Sequence, residues 1–529
     1  MRIRPYLPLA AVAALALVGG MIAELLPRRS RDALAAPPVV VTPPPPTLPP
    51  EAGLSWDVRD ADTSETIPCK LTLIGVDGSP TPAFTHNDIG RDENGGIEAY
   101  NRIFASSGIG VAHVPHGTFD VYVSRGPEWD LFIARKIKVG PGGAHITARL
   151  KHVVDSHGWA SADLHVHSAQ STDSHVPMHD RIYEFVADNV EVIVATDHNV
   201  VSDYGPIIRE LGVGKYITSI VGDELTTNGW GHFGAFPLPQ DIYKVGHGAI
   251  HIHGKNAVDF FKGVRELNPD AIIDVHHPRI DNEIGYFNLA RFDAATDKAT
   301  KPGWSFDFDA VEVMNGYQDS ERRSIDKVVA DWFWLIEHGH IVTATGNSDT
   351  HHLTYNIGGY PRNYVRVLED QPSLLTPAQI ASAIRAHRSF FSTAPFVNLH
   401  VGGVEIGQTV SLKQRRTDVQ IGPAPSVRAE IEVQAAPWVS VSKVTLIVNG
   451  KDWKVWSVAD KKDAVRFHEA IDVPISSDSF VLVRVDGDKP LSPVVGDEKR
   501  FDVRPFALTN PVFVDSDGNG VYDAPLKGK

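Results

Sequence analysis

The stretch ADLHVHS, residues 162–168, sets one acid and two histidines into an otherwise apolar, strand-like run. In an extended strand, residues i and i+2 share a face, so His165 and His167 aim side by side at one point. Two imidazoles converging from one strand suit a metal ion. The pattern alone is cheap: with 24 histidines in 529 residues, H-x-H is expected about once by chance. HIH at 251–253 and HGH at 338–340 also occur, one in a glycine-rich loop and one at the end of a helical pattern. The distinction must come from other residues that join the first pair.

Those residues sit at the ends of further strand candidates. Between about 158 and 395 the runs ADLHVH, VEVIVAT, SIVGDEL, HFGAFPL, AIIDV, DAVEVM and HIVTAT read as seven strands. The first is followed by Asp173 and His175, and the second ends in Asp197 and His198. The third gives Asp223 and Glu224, and the fourth opens with His232. The fifth gives His276, His277 and Arg279, and the seventh gives Asp349, His351 and His352. Amphipathic helices are expected at Glu321–Glu337, Asp180–Asn189, Val258–Leu267 and Pro377–His387. Repeated β-α units predict an α/β barrel or wound sheet, in which chemistry gathers at the carboxyl ends of the strands.

The order H-x-H, T-D-H, a lone Glu, H-P and S-D-x-H resembles the PHP (polymerase and histidinol phosphatase) metallohydrolases over residues 158–395. HVPMHDR, VATDHN and SDTHH, with the flanking β domains, look most like the secreted carbaryl-hydrolase-like branch. The resemblance implies a distorted seven-stranded β/α barrel holding three metal ions. One ion would take His165, His167, Glu224 and Asp349. A second would share Glu224 with His232 and His277, and a third would take Asp173, His198 and His351. His175 is the fallback for Asp173. Adjacent strand residues face opposite ways, so only one of His276 and His277 is expected to point inward, and the H-P match favours His277.

Glu224 carries the expected chemistry. A carboxylate bridging two cations lets them share a hydroxide for attack on an ester. Imidazole and carboxylate donors without thiolate suit zinc, manganese or iron. Asp163 and Asp197, beside His165 and His198, either accept the second ring N–H or cap strand ends. Arg279 either forks to a phosphate or carboxylate oxygen or pairs with Asp281. Glu312, in AVEVMNG, reads as structural.

The rest of the chain frames this region. Residues 1–35 carry two arginines and an apolar run of about 18 residues, read as a signal peptide or membrane anchor. Export follows, with anchoring through the N-terminus left open. Residues 36–51 are a proline-rich spacer. Residues 52–150 read as a β-sandwich resembling carboxypeptidase-regulatory-like domains, 151–395 as the catalytic barrel and 396–505 as a second β domain. Residues 506–529 read as a polar tail. Its DSDGNGVYD places Asp515, Asp517, Asn519 and Asp523 as in a calcium loop, but Leu526 stands where a bidentate Glu belongs. The tail is either a polar turn or a weak Ca²⁺ site.

A net charge of −15 argues against nucleic acid as a partner, and a single cysteine excludes thiolate metal sites and an intrachain disulfide. The leading reading is a metal-dependent hydrolase of phosphoester or of carbamate and aryl ester bonds in a small molecule. No G-x-S-x-G elbow argues for covalent catalysis. The alternatives are an amidohydrolase-type enzyme, which also opens on H-x-H, and a non-catalytic exported binding protein on the same scaffold.

Overall fold

The run VIVA is apolar throughout, and WASADLHV alternates Ala160, Ala162, Leu164 and Val166 with Ser161, Asp163 and His165, a polar face that can be buried only where partners meet it. In the computed structural model both are wholly buried strands, Trp159–Val166 and Val192–Ala195. The structure describes residues 53–527 apart from 86–89, 94–95, 295–298, 300, 317–318, 354–356, 413–424 and 498–501. The leader and spacer expected in residues 1–51 lie outside the described residues. Among the described residues, no helix is long and apolar enough to cross a membrane.

The result is a strand-rich, mixed α/β architecture in which two sheets meet at the candidate site. One runs in the order Thr218–Val221, Val192–Ala195, Trp159–Val166, Arg362–Arg366, Ser389–Ser392, Phe506–Thr509, Ser479–Asp486, Lys443–Val448 and Lys451–Ser457. The other orders Asp223–Thr227, Gly231–Phe236, Ile272–Val275, Ala310–Asn315 and Thr343–Asn347. The chain passes between them at Gly222, where a Cβ would lie 3.0 Å from the carbonyl oxygens of both Ala195 and Ala235. Single bridges pair His198 with Glu224 and Val166 with Thr350 across the seam.

This differs from seven parallel strands in one ring. Asp223–Thr227 and Gly231–Phe236 form an antiparallel hairpin, because only Asn228, Gly229 and Trp230 separate them, too few for a crossover helix. The first, longer sheet does not stop at the expected domain boundary either. It continues into residues 443–515, and one apolar core runs from Trp159 and Trp332 through Tyr364 and Phe390 to Val483 and Val514. Residues 506–515, read as part of a polar tail, contain two buried strands, Phe506–Thr509 and Val512–Asp515. FALTNPVFV is apolar enough for that position; its nearness to the acidic loop obscured it.

The helices cover this framework. Ala257–Leu267 and Pro377–Arg385 begin at capping boxes on Asn256 and Thr376. Asp319–Glu337 buries Val328, Trp332, Leu335 and Ile336. Toward the N-terminus, a three-stranded and a six-stranded sheet enclose Leu54, Trp56, Leu71, Leu73, Val121, Val123 and Ile146.

The first two site strands are joined through Glu191, whose carboxylate accepts from the Ser161 N–H at 2.8 Å and its hydroxyl at 3.0 Å. Burial pushes this carboxyl up to about 8. The unfolded chain therefore releases the proton first as pH rises, and this contribution to stability declines from about pH 4.3 until the folded group ionises near 8. Glu191→Gln removes that proton exchange. Urea midpoints should fall less between pH 5 and pH 8 in the variant than in the parent, and parallel profiles would contradict the assignment.

Candidate metal centre

His165 lies in the first site strand and His167 one residue beyond its end; both are fully buried, with ring centroids 5.0 Å apart. The loop carrying Asp349 is clipped alongside them. Asp349 N–H donates to the His165 carbonyl at 3.0 Å, and His167 N–H donates to the Thr350 carbonyl at 3.3 Å. Asp349 takes a left-handed backbone, φ 50°, a conformation that aspartate tolerates better than most residues. Its Oδ1 thereby lies 3.1 Å from the Nε2 atoms of both His165 and His167.

Glu224 stands at the middle. Its Oε1 lies 2.8 Å from His276 Nδ1, 3.1 Å from His165 Nε2, 3.4 Å from His232 Nδ1 and 3.5 Å from His277 Nε2. Its Oε2 lies 2.5 Å from His198 Nδ1 and 3.8 Å from His167 Nε2. One buried carboxylate thus faces six imidazoles, divided between its two oxygens. On the outer side, Asp173 Oδ2 lies 3.0 Å from His198 Nε2 and 3.3 Å from His351 Nε2. This is also the open side: the Asp173 side chain is 51 % exposed, against 0 % for His165.

A buried carboxylate stays ionised only where positive charge or hydrogen bonds compensate its lost hydration. Burial pushes Glu224 and Asp349 upward, but His198, His232 and His165 around the first, and His165 and His351 around the second, hold both well below the usual range. The imidazoles divide. Burial opposes protonation of His198, yet Glu224 and Asp173 carry it up to about 11. Burial, with the charge of His165, presses His276 down to about 4. Burial also lowers His167 and His232. The rings cannot all supply the charge that the carboxylates need.

The donor atoms fit cations. Nε2 of His165, His167 and His351 and Nδ1 of His232 are buried and make no hydrogen bond, although each lies within 3.1–3.4 Å of a carboxylate oxygen. Four groups have ligand atoms within 4.8 Å of one another: His165/His167/Glu224, His165/His277/Asp349, His198/Glu224/His232 and His167/Asp173/His198/His351. All nine expected ligand positions fall in these groups, but the partition differs: Asp349 is grouped apart from Glu224, and His198 also joins Glu224 and His232. His277 joins His165 and Asp349 rather than His232, and His167 also reaches the outer group. His175 is exposed and belongs to none of them.

Neighbouring residues set which ring nitrogens face inward. Glu312 is fully buried and takes His165 Nδ1 at 3.0 Å on one oxygen and the His277 N–H at 2.7 Å on the other. Asn347 and Asn315 donate to the same two oxygens. Asn315 also donates to Asp349 Oδ2 at 3.1 Å, leaving Oδ1 for the histidines. Ser171 Oγ does for His167 Nδ1, at 2.8 Å, what Glu312 does for His165. Glu312 was read as structural; the available signal was a carboxylate in mid-strand, where charge is expensive.

Several expectations need correction. Both His276 and His277 reach Glu224, because the strand ends at Val275 and His277 has φ 29°, which breaks the alternation. His276 stacks on His165 at 3.5 Å, and Gly234 makes room for it: a Cβ there would lie 2.4 Å from His276 Nε2. Arg279 does not pair with Asp281, and its guanidinium is taken up by other protein acceptors. Asp331 holds its guanidinium at 2.6 and 2.8 Å, and Asn288 and the Phe292 carbonyl accept its remaining bonds. Asp197 does not take a ring nitrogen of His198, which meets Thr226 and Asp173 instead. Its carboxylate accepts from Ser168 N–H at 2.7 Å and the Tyr204 hydroxyl at 3.1 Å, bracing the turn after His167. Asp163 accepts backbone N–H groups of His165, Ser348 and Gly359, not a ring nitrogen. In the C-terminal loop, Asp515 accepts from the backbone of Gly518, Asn519 and Gly520, while Asn519 donates to Asp523. The acidic group that forms there is Asp478, Asp515 and Asp517, without Asp523.

No family model matches the chain, and no curated protein matches it. Among solved structures it is similar to a two-domain protein from Bacteroides vulgatus ATCC 8482, described as containing a predicted PHP-like metal-dependent phosphoesterase. That likeness has 15 % identity and a TM-score of 0.35, over 68 % of this chain and 96 % of the other. A protein from Bifidobacterium adolescentis ATCC 15703, described as a candidate metal-dependent phosphoesterase, is similar at 12 % identity and a TM-score of 0.23, over 36 % and 87 %. At these scores neither likeness adds to the geometry above.

Glu312→Gln keeps the size of the side chain but removes its charge from His165 and His277. Divalent-cation affinity should fall about 10- to 100-fold with little change in the unfolding midpoint, measured by calorimetric titration with Mn²⁺ and by urea denaturation.

Proposed function

We propose that the chain is a PHP-type metal-dependent hydrolase acting on small-molecule esters, with phosphoesters as the first class to test. The observation that carries this reading is the buried Glu224 carboxylate, whose two oxygens face separate sets of imidazoles. Divalent cations bound there would lower the pKa of a water toward neutrality and polarise the ester oxygen. Glu224 and Asp349 would hold two ions between the inner histidines. Asp173, His198 and His351 would hold a third at the open side, where substrate arrives. Glu312 and Ser171 keep the outward ring nitrogens of His165 and His167 in hydrogen bonds, leaving Nε2 of each for the centre.

The two arginines near the site sequence motifs, Arg181 and Arg279, are engaged with protein acceptors. An anionic substrate therefore relies on the cations for charge. The carbaryl-hydrolase-like resemblance extends the proposal to carbamates and aryl esters. The N-terminal segment, read as leader or anchor, extends it to an exported enzyme.

Turnover of p-nitrophenyl phosphate, aryl acetates and aryl carbamates by Mn²⁺- or Zn²⁺-supplemented protein separates these substrate classes. Metal content decides whether the centre is intact: less than one equivalent per chain after supplementation favours a non-catalytic binding protein. Glu224→Gln is expected to abolish turnover of whichever ester is cleaved while far-UV and near-UV circular dichroism stay unchanged. Undiminished turnover in that variant would sink the bridging role.

A further inference from the structure

The segment HVPMHDR leads into the helix Met178–Ala187, and its arginine has no place in the ligand set. Arg181 is nevertheless fully buried. Its Nε–H donates to the His167 carbonyl at 2.9 Å. Nη1 donates to Thr350 Oγ1 at 2.9 Å and to the His352 carbonyl at 3.3 Å, and Nη2 donates to the Thr350 carbonyl at 3.2 Å. Glu184, one turn along the same helix, accepts a further bond from Nη1. A buried guanidinium is costly unless its donors are accepted, and here each nitrogen has an acceptor.

The acceptors belong to two segments far apart in sequence. One ends the strand bearing His165 and His167. The other carries Asp349 and His351, with Thr350 between them. Fixing the Thr350 carbonyl and hydroxyl fixes the direction of the side chains on either side, at the point where Asp349 takes its left-handed turn. Lysine cannot reproduce this arrangement, because its ammonium is a point donor without a planar fork.

The same helix is also gripped by the N-terminal β-layer. Lys70, in the strand Cys69–Gly75, pairs with Asp188 at the helix end at 2.6 Å, both side chains fully buried. Arg125 donates to the Val186 carbonyl at 3.2 Å, and the Gly90 N–H donates to Asp180 Oδ2 at 2.7 Å. The helix therefore links that layer to the two ligand-bearing segments.

The structure assigns Arg181 the role of a positioning residue that sets the spacing between the His165–His167 and Asp349–His351 segments, with the N-terminal β-layer holding the helix that delivers it. This rests on the reading that these segments hold divalent cations.

The test uses the full chain with Arg181→Lys, Arg181→Met, Lys70→Met and, as a control, Lys136→Met, which removes only an exposed pair with Asp77. Two quantities are read: hydrogen exchange of residues 348–352 in metal-free protein, and the Kd for Mn²⁺. Both Arg181 variants should speed exchange there at least tenfold and weaken Mn²⁺ binding about 10- to 100-fold. Lys70→Met should shift both in the same direction by less, and Lys136→Met should shift neither. Where Arg181→Met fails to fold, Arg181→Lys carries the test, since it keeps the charge and most of the length. Parental exchange and Mn²⁺ affinity in folded Arg181→Lys would overturn the role of Arg181. Parental values in Lys70→Met would remove the N-terminal layer from it. A parent chain that binds no Mn²⁺, with exchange still shifting as expected, would overturn the metal reading and leave the positioning role standing.

Discussion

A single buried carboxylate sets the terms for the rest of the molecule. Glu224 is fully enclosed, and a charge in that position persists only if its surroundings replace the water it has lost. Six imidazoles do so from different elements, and none is close in sequence to most of the others. To bring them there, the chain changes sheets at Gly222, leaves a gap at Gly234 and abandons extended geometry at His277 and Asp349. Each departure is unfavourable locally and is held by the packed sheets on either side.

Charge alone would not give a usable site. Imidazoles crowded round carboxylates could simply share protons with them, forming an inert cluster of ion pairs. Glu312 and Ser171 occupy one nitrogen of His165 and of His167, which directs the other at the centre. Burial presses His167, His232 and His276 toward their neutral forms, the state in which an imidazole can donate a lone pair. Low dielectric and directed hydrogen bonds thus keep lone pairs on these three rings.

Much of this was legible in the sequence, for a physical reason. Strand ends bearing histidine and acid in six places out of seven are improbable unless the ends converge, and the structure brings all nine expected ligand positions together. The helices Asp319–Glu337 and Ala257–Leu267 followed from their apolar spacing. What failed depended on backbone path or on partners distant in the chain. Alternation could not foresee that His277 leaves the strand geometry and so admits His276. A loop motif could not reveal that Asp197 braces Ser168, or that Arg279 is held by Asp331, since those acceptors are identified only by folding. The hairpin of Asp223–Thr227 with Gly231–Phe236 was missed because short apolar runs do not state their direction. The role of Glu312 was overlooked because a lone acid was weighed by its neighbours in sequence and not by the cost of burying it.

The order of strands has a consequence for how the polypeptide is made. Ser389–Ser392 borders the site half of the long sheet, and its partner there, Phe506–Thr509, emerges from the ribosome roughly a hundred residues later. Until then the nascent chain presents an open hydrogen-bonding edge flanked by Phe390 and Phe391, the type of surface that invites mispairing with another copy. Chaperone demand during biosynthesis should therefore be concentrated in that interval, and production at low temperature, which slows association between incomplete chains, should favour the soluble form.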